Sequence, residues 1–183
     1  MRTQRILTIV VTILCVLLLY GNLQLQRKND ELSRMLTAAL QQTQVTLGTT
    51  LPPLYGKDTR GSDVVLRYGS GTDRRLLLVL SPDCKACDQN WANWRSLLND
   101  RARRAFTPVV INLGPSLSAE YINRNGLRGM EIIDSVSDVS KVAYRLAGTP
   151  STILVSQQGT VERVRLGVLD GNALSAFRDS LSR

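Results

Sequence analysis

Two cysteines separated by two residues, Cys84 and Cys87, are the side chains whose type and spacing most directly suggest chemistry. They follow the apolar run LLLVL and precede a stretch of helical periodicity, so they stand where a predicted strand gives way to a helix. Such a pair suits half of a tetrahedral metal site, a structural disulfide, or a redox pair at the start of a helix.

The composition of the chain weighs against the first two uses. Zinc needs two further ligands, but the sequence has no His and only one other cysteine, Cys15, which lies in an apolar amino-terminal run. Unless a dimer shared the ion, we expect no metal site. A disulfide closing so short a loop would constrain the unfolded chain very little. The absence of His also excludes Ser-His-Asp and Cys-His catalysis.

The redox use requires the first sulfur at a helix amino terminus, where free backbone N–H groups stabilise a thiolate. Cys84 stands at such a junction, and Cys87, one turn later, can attack a mixed disulfide formed at Cys84. Lys85 would favour the thiolate, whereas Asp83 and Asp88 would oppose it, so the sequence predicts neither the pKa nor the potential. The disulfide itself would be the redox group, and we expect no other cofactor.

A second feature is the dipeptide Thr149-Pro150 before a predicted strand. Proline cannot donate to a central β-ladder, so this one needs either a cis bond in a tight turn or an ordinary trans turn. Its position alone does not distinguish the two.

Beyond residue 47 short β-rich runs alternate with helical stretches, which predicts an α/β domain. The run Leu76–Ser81 is so uniformly apolar that it should be a central strand buried on both faces. Trp91 and Trp94 recur at helical spacing and are expected in the core. The other predicted strands cover residues 64–67, 107–112, 131–133, 152–155 and 160–166, and the predicted helices cover 88–99, 118–125, 137–146 and 170–181.

Two of these predictions are specific enough to test. The segment SQQG should turn the last two strands into a hairpin at Gly159. The helix over 137–146 should bury an apolar stripe, which consists of Val139, Val142, Ala143 and Leu146.

The amino terminus has the pattern of a membrane anchor. Residues Ile6 to Tyr20 carry no charge, the apolar run continues to Leu25, and Arg2 and Arg5 precede it. No small-residue cleavage site follows, so retention is favoured over removal of a signal peptide. We therefore expect an anchor over 1–25, a helical stalk or linker over 26–46, and a folded domain over 47–183. The signal-like layout favours a carboxyl end outside the cytoplasmic membrane.

The net charge of +8 would permit binding to nucleic acid, but the basic residues are scattered. Arg101, Arg103 and Arg104 form the one tight cluster, and no set of aromatic residues accompanies it. We expect no nucleic-acid partner.

The segments LLLVLSPDCKAC and GTPSTILVSQQGTVERVRLG and the last amphipathic helix together resemble the thioredoxin-like superfamily. With the single anchor, the layout over about 47–183 is similar to the membrane-anchored TlpA/ResA-type thiol-disulfide oxidoreductases, and LSPDCKAC is also similar to MauD-type proteins. The resemblance implies a three-layer α/β/α sandwich with a central mixed sheet.

For the site, the resemblance implies that Cys84 attacks, that Cys87 resolves, and that Pro150 is a cis-proline packed beside them. Thr149 would present its backbone to an extended substrate segment. The resemblance further implies a periplasmic or other extracytoplasmic location, with exported protein thiols or disulfides and a redox protein as partners.

The sequence departs from the family pattern at several positions. Asp83 stands where Trp is common, Ala86 where Pro is frequent, and Asn90 where the ResA-like proteins have an acidic residue. Proton delivery to the resolving cysteine would then need Asp83 or Asp88.

Three functions follow from these observations. The first hypothesis is a membrane-anchored thiol-disulfide oxidoreductase, and the second is a non-catalytic thioredoxin-like module that binds a partner while its cysteines are idle. The third and weaker hypothesis is a thiol peroxidase. It rests on Ser81 three residues before Cys84, but Leu77 stands where such enzymes have proline.

Overall fold

The computed structural model describes residues 15, 17–32, 45–69, 73–99 and 106–181. The chain divides into two compact units, Met1–Thr43 and Gln44–Arg183. In the first unit, residues 17–32 are helical and exposed. Among the described residues, no helix has both the length and the apolar content to cross a membrane. Much of the predicted anchor (1–14 and 16) and stalk (33–44) lies outside the described residues, and the predicted domain division stays a prediction.

The second unit alternates strands with helices, as the sequence predicts. Its strands are β1 (Leu54–Lys57), β2 (Asp63–Leu66), β3 (Arg74–Leu80), β4 (Phe106–Asn112), β5 (Glu131–Ile133), β6 (Ser135–Val136), β7 (Ser151–Val155) and β8 (Val161–Leu166). Its helices are α1 (Lys85–Asn99), α2 (Ala119–Arg124), α3 (Asp138–Ala143) and α4 (Gly171–Leu181).

The central sheet has the strand order β5-β4-β3-β7-β8 and is mixed. Strands β3, β4 and β5 are parallel, because a helical connection returns the chain to the same edge, whereas β7 is antiparallel to β3 and to β8. Gly159 has a φ of 88° in the turn between β7 and β8, which confirms the predicted hairpin. A smaller antiparallel sheet has the order β2-β1-β6.

Strand β3 lies in the middle of the sheet and is buried on both faces from Leu76 to Leu80, as predicted. Its side chains alternate between two hydrophobic clusters. Leu76, Leu78 and Leu80 pack with both tryptophans of α1 and with Phe177 of α4, so the prediction that the tryptophans belong to the core is confirmed. Leu77 and Val79 pack on the opposite face with residues of β1 and β2 and with Tyr144.

The predicted apolar stripe of α3 is wrong for three of its four residues: Leu146 is half-buried and packs against the core, but Ala143 is exposed, as are both valines. The helix ends at Ala143, and Val139 and Val142 are 78% and 77% exposed. The buried side chains are Ser140 and Tyr144 instead. Packing on β1 decides the orientation, because the Ser140 hydroxyl accepts a hydrogen bond from the backbone N–H of Tyr55 at 2.9 Å. The Tyr144 hydroxyl donates to the Pro52 carbonyl at 2.6 Å.

Candidate active site

Cys84 caps the amino terminus of α1. The helix begins at Lys85, three residues before its predicted start, and the sulfur of Cys84 accepts the backbone N–H of Cys87 at 3.2 Å. The Cys84 carbonyl accepts the same N–H at 2.9 Å and that of Asp88 at 3.3 Å. The first sulfur therefore lies at the positive end of a 15-residue helix, where the N–H of Cys87 is shared between the sulfur and the carbonyl of Cys84.

The pKa of the Cys84 thiol is lowered from its ordinary value. Partial burial alone would raise this pKa, but several hydrogen bonds outweigh that effect by stabilising the thiolate. The donors are the thiol of Cys87, the hydroxyl of Thr149 and the backbone N–H groups of Cys87 and Ala86. Cys84 is half-buried, so its sulfur can meet a partner from solvent.

Cys87 has the opposite character. It is fully buried, and burial, together with the neighbouring sulfur of Cys84, raises the pKa of its thiol to about 12. Hydrogen bonds from the backbone N–H of Ser81 and the hydroxyl of Thr149 lower it only in part. Two cysteines one turn apart therefore differ in both exposure and acidity, as a nucleophile and a buried second thiol should.

The Thr149-Pro150 segment lies beside the two sulfurs. Its peptide bond is cis, which is the isomer that the family resemblance implies. Strand β7 follows at once and pairs with β3 so that Ser151 lies opposite Val79, near the end of β3 from which the cysteine loop departs. This register explains how the Thr149 hydroxyl comes close enough to lower the pKa of both thiols, although Thr149 is more than sixty residues away in the chain.

The charged residues expected to tune the pair are all exposed: Asp83, Lys85 and Asp88. The largest effects on the pKa values of the two thiols come from burial and hydrogen bonds, not from these three side chains. Their influence remains a prediction. Among the described residues, no three His, Cys, Asp or Glu side chains converge as a metal site would require.

Asn90 has a role in the structure that its sequence position did not reveal. It is fully buried, and its side-chain oxygen accepts the backbone N–H of Leu169 at 2.9 Å. Asn93 donates to the Leu169 carbonyl at 2.8 Å, so two amides of α1 hold the loop that leads into α4. The side-chain nitrogen of Asn90 has no hydrogen-bond partner within the described part of the chain. An amide thus holds a loop at a position where the family pattern has an acid.

Comparison with known proteins agrees with this geometry. No family model matches the chain. A curated relative, the thiol-disulfide oxidoreductase ResA of Geobacillus kaustophilus (strain HTA426), is 25% identical over 145 residues, which cover 77% of this chain and 81% of the relative.

Solved structures show the same fold at lower identity. The thioredoxin domain of a thiol-disulfide oxidoreductase from Bacteroides vulgatus superposes with a TM-score of 0.58 at 17% identity, covering 75% of this chain and 99% of that one. StoA from Bacillus subtilis gives a TM-score of 0.51 at 15% identity, covering 72% and 97%. A peroxiredoxin-like protein from Aquifex aeolicus gives 0.55 at 9% identity, covering 75% and 88%.

The mixed sheet, the paired cysteines at the start of α1 and the curated relative support one assignment. The chain has the thioredoxin-like fold and is similar in sequence to a thiol-disulfide oxidoreductase.

Proposed function

We propose that Cys84 and Cys87 exchange a disulfide with exported proteins at the outer side of the cytoplasmic membrane. The observation that carries this proposal is the asymmetry of the pair: Cys84 is half-buried with a lowered pKa, whereas Cys87 is fully buried with a pKa of about 12. Only one of the two thiols is then both accessible and ionised enough to begin an exchange.

In the first step, the Cys84 thiolate attacks one sulfur of a substrate disulfide. The substrate S–S bond breaks, a mixed disulfide forms at Cys84, and the other substrate sulfur leaves as a thiolate that takes a proton from water. The N–H of Cys87, which donates to the Cys84 sulfur at 3.2 Å, stabilises the thiolate before the attack.

In the second step, the sulfur of Cys87 attacks the sulfur of Cys84. Once Cys84 is in a mixed disulfide its sulfur carries no charge, so the part of the raised Cys87 pKa that comes from the Cys84 sulfur disappears. The Cys84–Cys87 disulfide forms, and the proton of Cys87 ends on the departing substrate sulfur. Two electrons pass from the cysteine pair to the substrate, and a dithiol redox protein must restore the pair.

Thr149 and Pro150 are proposed to position the substrate segment. Thr149 lies half-buried beside both sulfurs, and the chain continues directly into β7. An extended peptide that reaches the sulfur of Cys84 would therefore run past the backbone of Thr149, where main-chain hydrogen bonds can orient its disulfide.

The location rests on the uncharged run Ile6 to Tyr20 and on Arg2 and Arg5 before it. We expect the chain to remain with membranes after a carbonate wash and its folded domain to be digested by protease added to spheroplasts. Recovery of the full chain in the soluble fraction, or protection of the domain from protease, would contradict the anchored, outward-facing arrangement.

The activity is tested with the full chain in detergent and in a Cys15→Ser background, so that Cys84 and Cys87 are the only cysteines. The pair should titrate against glutathione or dithiothreitol as one two-electron couple and support insulin reduction. Cys84→Ser should abolish turnover, and Cys87→Ser should accumulate a mixed disulfide with the substrate. Cys15→Ser alone should be as active as the unmodified chain.

The same experiment separates the other functions. If insulin reduction is as fast with Cys84→Ser as with the unmodified pair, or if the pair cannot cycle, the oxidoreductase proposal fails and a non-catalytic binding module is the better explanation. Peroxide consumption that exceeds insulin reduction under matched conditions would instead favour a thiol peroxidase.

A further inference from the structure

Ser81 connects the central strand β3 to the loop that carries Cys84 and leads to Cys87. It follows Leu80, the last residue of β3. Its carbonyl accepts the backbone N–H of Cys84 at 3.2 Å, and its own N–H is close enough to Cys87 to lower the pKa of that thiol. Any displacement of the Ser81 main chain therefore moves a partner of each cysteine.

Gly114 lies directly against Ser81. A Cβ atom at position 114 would come within 2.1 Å of the Ser81 hydroxyl oxygen, 3.0 Å of its Cβ and 3.1 Å of the Cδ of Pro82. The φ of Gly114 is outside the left-handed region, so the backbone conformation does not require glycine. A side chain at position 114 would therefore force Ser81, and with it the start of the cysteine loop, to shift.

The loop that carries Gly114 is held from behind by two buried polar side chains. Asn112 is 1% exposed. Its amide nitrogen donates to the Pro115 carbonyl at 2.7 Å and to the Asp134 carboxylate at 3.0 Å. Its amide oxygen accepts the N–H of Gly114 at 3.0 Å. The same carboxylate accepts the Leu117 N–H at 2.8 Å. Satisfied buried networks of this kind hold a loop in one conformation.

Backbone pairing also joins the loop of Gly114 to the end of β3. The N–H of Leu113 donates to the carbonyl of Leu80 at 2.8 Å, and Leu80 lies opposite Asn112 in the parallel pair of β3 and β4. The loop over 113–117 thus continues the sheet register past the end of β3, and places Gly114 against the two residues that begin the cysteine loop.

We propose that Gly114, held by Asn112 and Asp134, is a positioning residue that sets the placement of Cys84 and Cys87 through Ser81. The inference rests on the proposed exchange of a disulfide by this pair. It predicts that a single methyl group at position 114, which touches neither sulfur, changes the reactivity of both.

The test compares Gly114→Ala with a matched glycine, Gly171→Ala, in the full chain with Cys15→Ser. Gly171 has no atom near an added Cβ and its φ is outside the left-handed region, so that variant controls for an added methyl group. We expect Gly114→Ala to slow insulin reduction by about tenfold, because a misplacement of reacting groups by about 1 Å can cost about a hundredfold in rate and a smaller shift should cost less. The pH midpoint of Cys84 alkylation should rise, and Gly171→Ala should change neither.

Rescue distinguishes positioning from a general loss of stability. Ser81→Gly removes two of the three close contacts with an added Cβ, so Gly114→Ala combined with Ser81→Gly should recover rate and alkylation midpoint relative to Gly114→Ala alone. If Gly114→Ala does not fold, Asn112→Ser is measured in its place. This substitution removes the donor to the Pro115 carbonyl and the acceptor of the Gly114 N–H without adding bulk, and it should shift the pH midpoint of Cys84 alkylation.

The outcomes separate this inference from the proposed function. If the unmodified pair cycles but Gly114→Ala leaves rate and midpoint unchanged, or Ser81→Gly restores neither, the positioning role of Gly114 is overturned and the exchange reaction stands. If Gly114→Ala does not fold, an unchanged pH midpoint of Cys84 alkylation in Asn112→Ser likewise overturns the positioning role of Gly114. Failure of the unmodified pair to cycle defeats the proposed function itself.

Discussion

The backbone N–H of Cys87 donates a hydrogen bond to the sulfur of Cys84 at 3.2 Å, while the sulfur of Cys87 is itself fully buried. One residue thus supplies the backbone donor to the first sulfur and the buried thiol that, in the proposed exchange, attacks the Cys84 sulfur of the mixed disulfide. Because the helix start provides the donor and the core buries the thiol, the difference in acidity between the two thiols follows from where α1 begins.

Alkylation should separate the two cysteines by pH. Cys84, whose pKa is lowered, should react with iodoacetamide at neutral pH with a midpoint below that of a free cysteine, whereas Cys87, with a pKa of about 12, should stay unreactive until the solution is strongly alkaline. Mass spectrometry of peptides quenched at each pH measures both. Equal labelling of the two cysteines at neutral pH would contradict the asymmetry.

Removing the first sulfur should make the second more acidic. The Cys84 sulfur raises the pKa of Cys87, so in Cys84→Ala the alkylation midpoint of Cys87 should fall, while remaining above that of a free cysteine because burial persists. The measurement is the same pH series on the Cys84→Ala variant. A midpoint that does not move would show that burial alone sets this pKa.

Thr149→Val should change the chemistry of the pair. The substitution keeps the shape but removes the hydroxyl that lowers the pKa of both thiols. The pKa values of Cys84 and Cys87 should therefore both rise, and insulin reduction at neutral pH should slow. The alkylation series and the turnover assay measure these effects.

Thr152→Val is the matched control for Thr149→Val. Thr152 is buried and accepts the indole N–H of Trp94 at 2.8 Å, so its loss should lower the free energy of unfolding by about 1–3 kcal/mol without moving either alkylation midpoint. A shift of the midpoints in both variants would mean that Thr149 acts through general stability.

Asn90→Ala should destabilise the fold. The substitution leaves the buried N–H of Leu169 without its acceptor, which should cost about 1–3 kcal/mol of the free energy of unfolding in urea denaturation. Gln89→Ala, at an exposed position of the same helix, should cost less than about 0.5 kcal/mol. Equal free energies of unfolding for the two variants would show that the hydrogen bond between Asn90 and the Leu169 N–H does not stabilise the fold.

The orientation of α3 predicts a contrast between neighbours. Val142→Thr changes a residue that is 77% exposed, so the free energy of unfolding should stay within about 0.5 kcal/mol. Tyr144→Phe removes the hydroxyl that donates to the Pro52 carbonyl and lies 3.1 Å from the Tyr68 hydroxyl, and should cost about 1–3 kcal/mol. If urea titrations showed a larger loss of unfolding free energy for Val142→Thr than for Tyr144→Phe, the outward orientation of Val142 would be contradicted.

Much of the fold follows from local patterns in the sequence. The uniform run Leu76–Leu80 predicts a strand buried on both faces, Gly159 predicts the turn of the last hairpin, and the cysteine spacing predicts a pair at a helix start. These features depend on residues close in the chain, whose periodicity and backbone preferences act within one element.

Contacts between distant segments decided the rest. Packing on β1 turned Ser140 and Tyr144 of the α3 segment inward in place of its valines, and the pairing of β7 with β3 brought Thr149 to both sulfurs. The sequence around Gly114 does not predict its contact with Ser81, because that contact depends on the alignment of β3 with β4. The sequence by itself determined the cysteine pair, the helices and every strand except β1 and β6. Tertiary packing determined which side chains surround that pair, because register and burial arise only when separate elements meet.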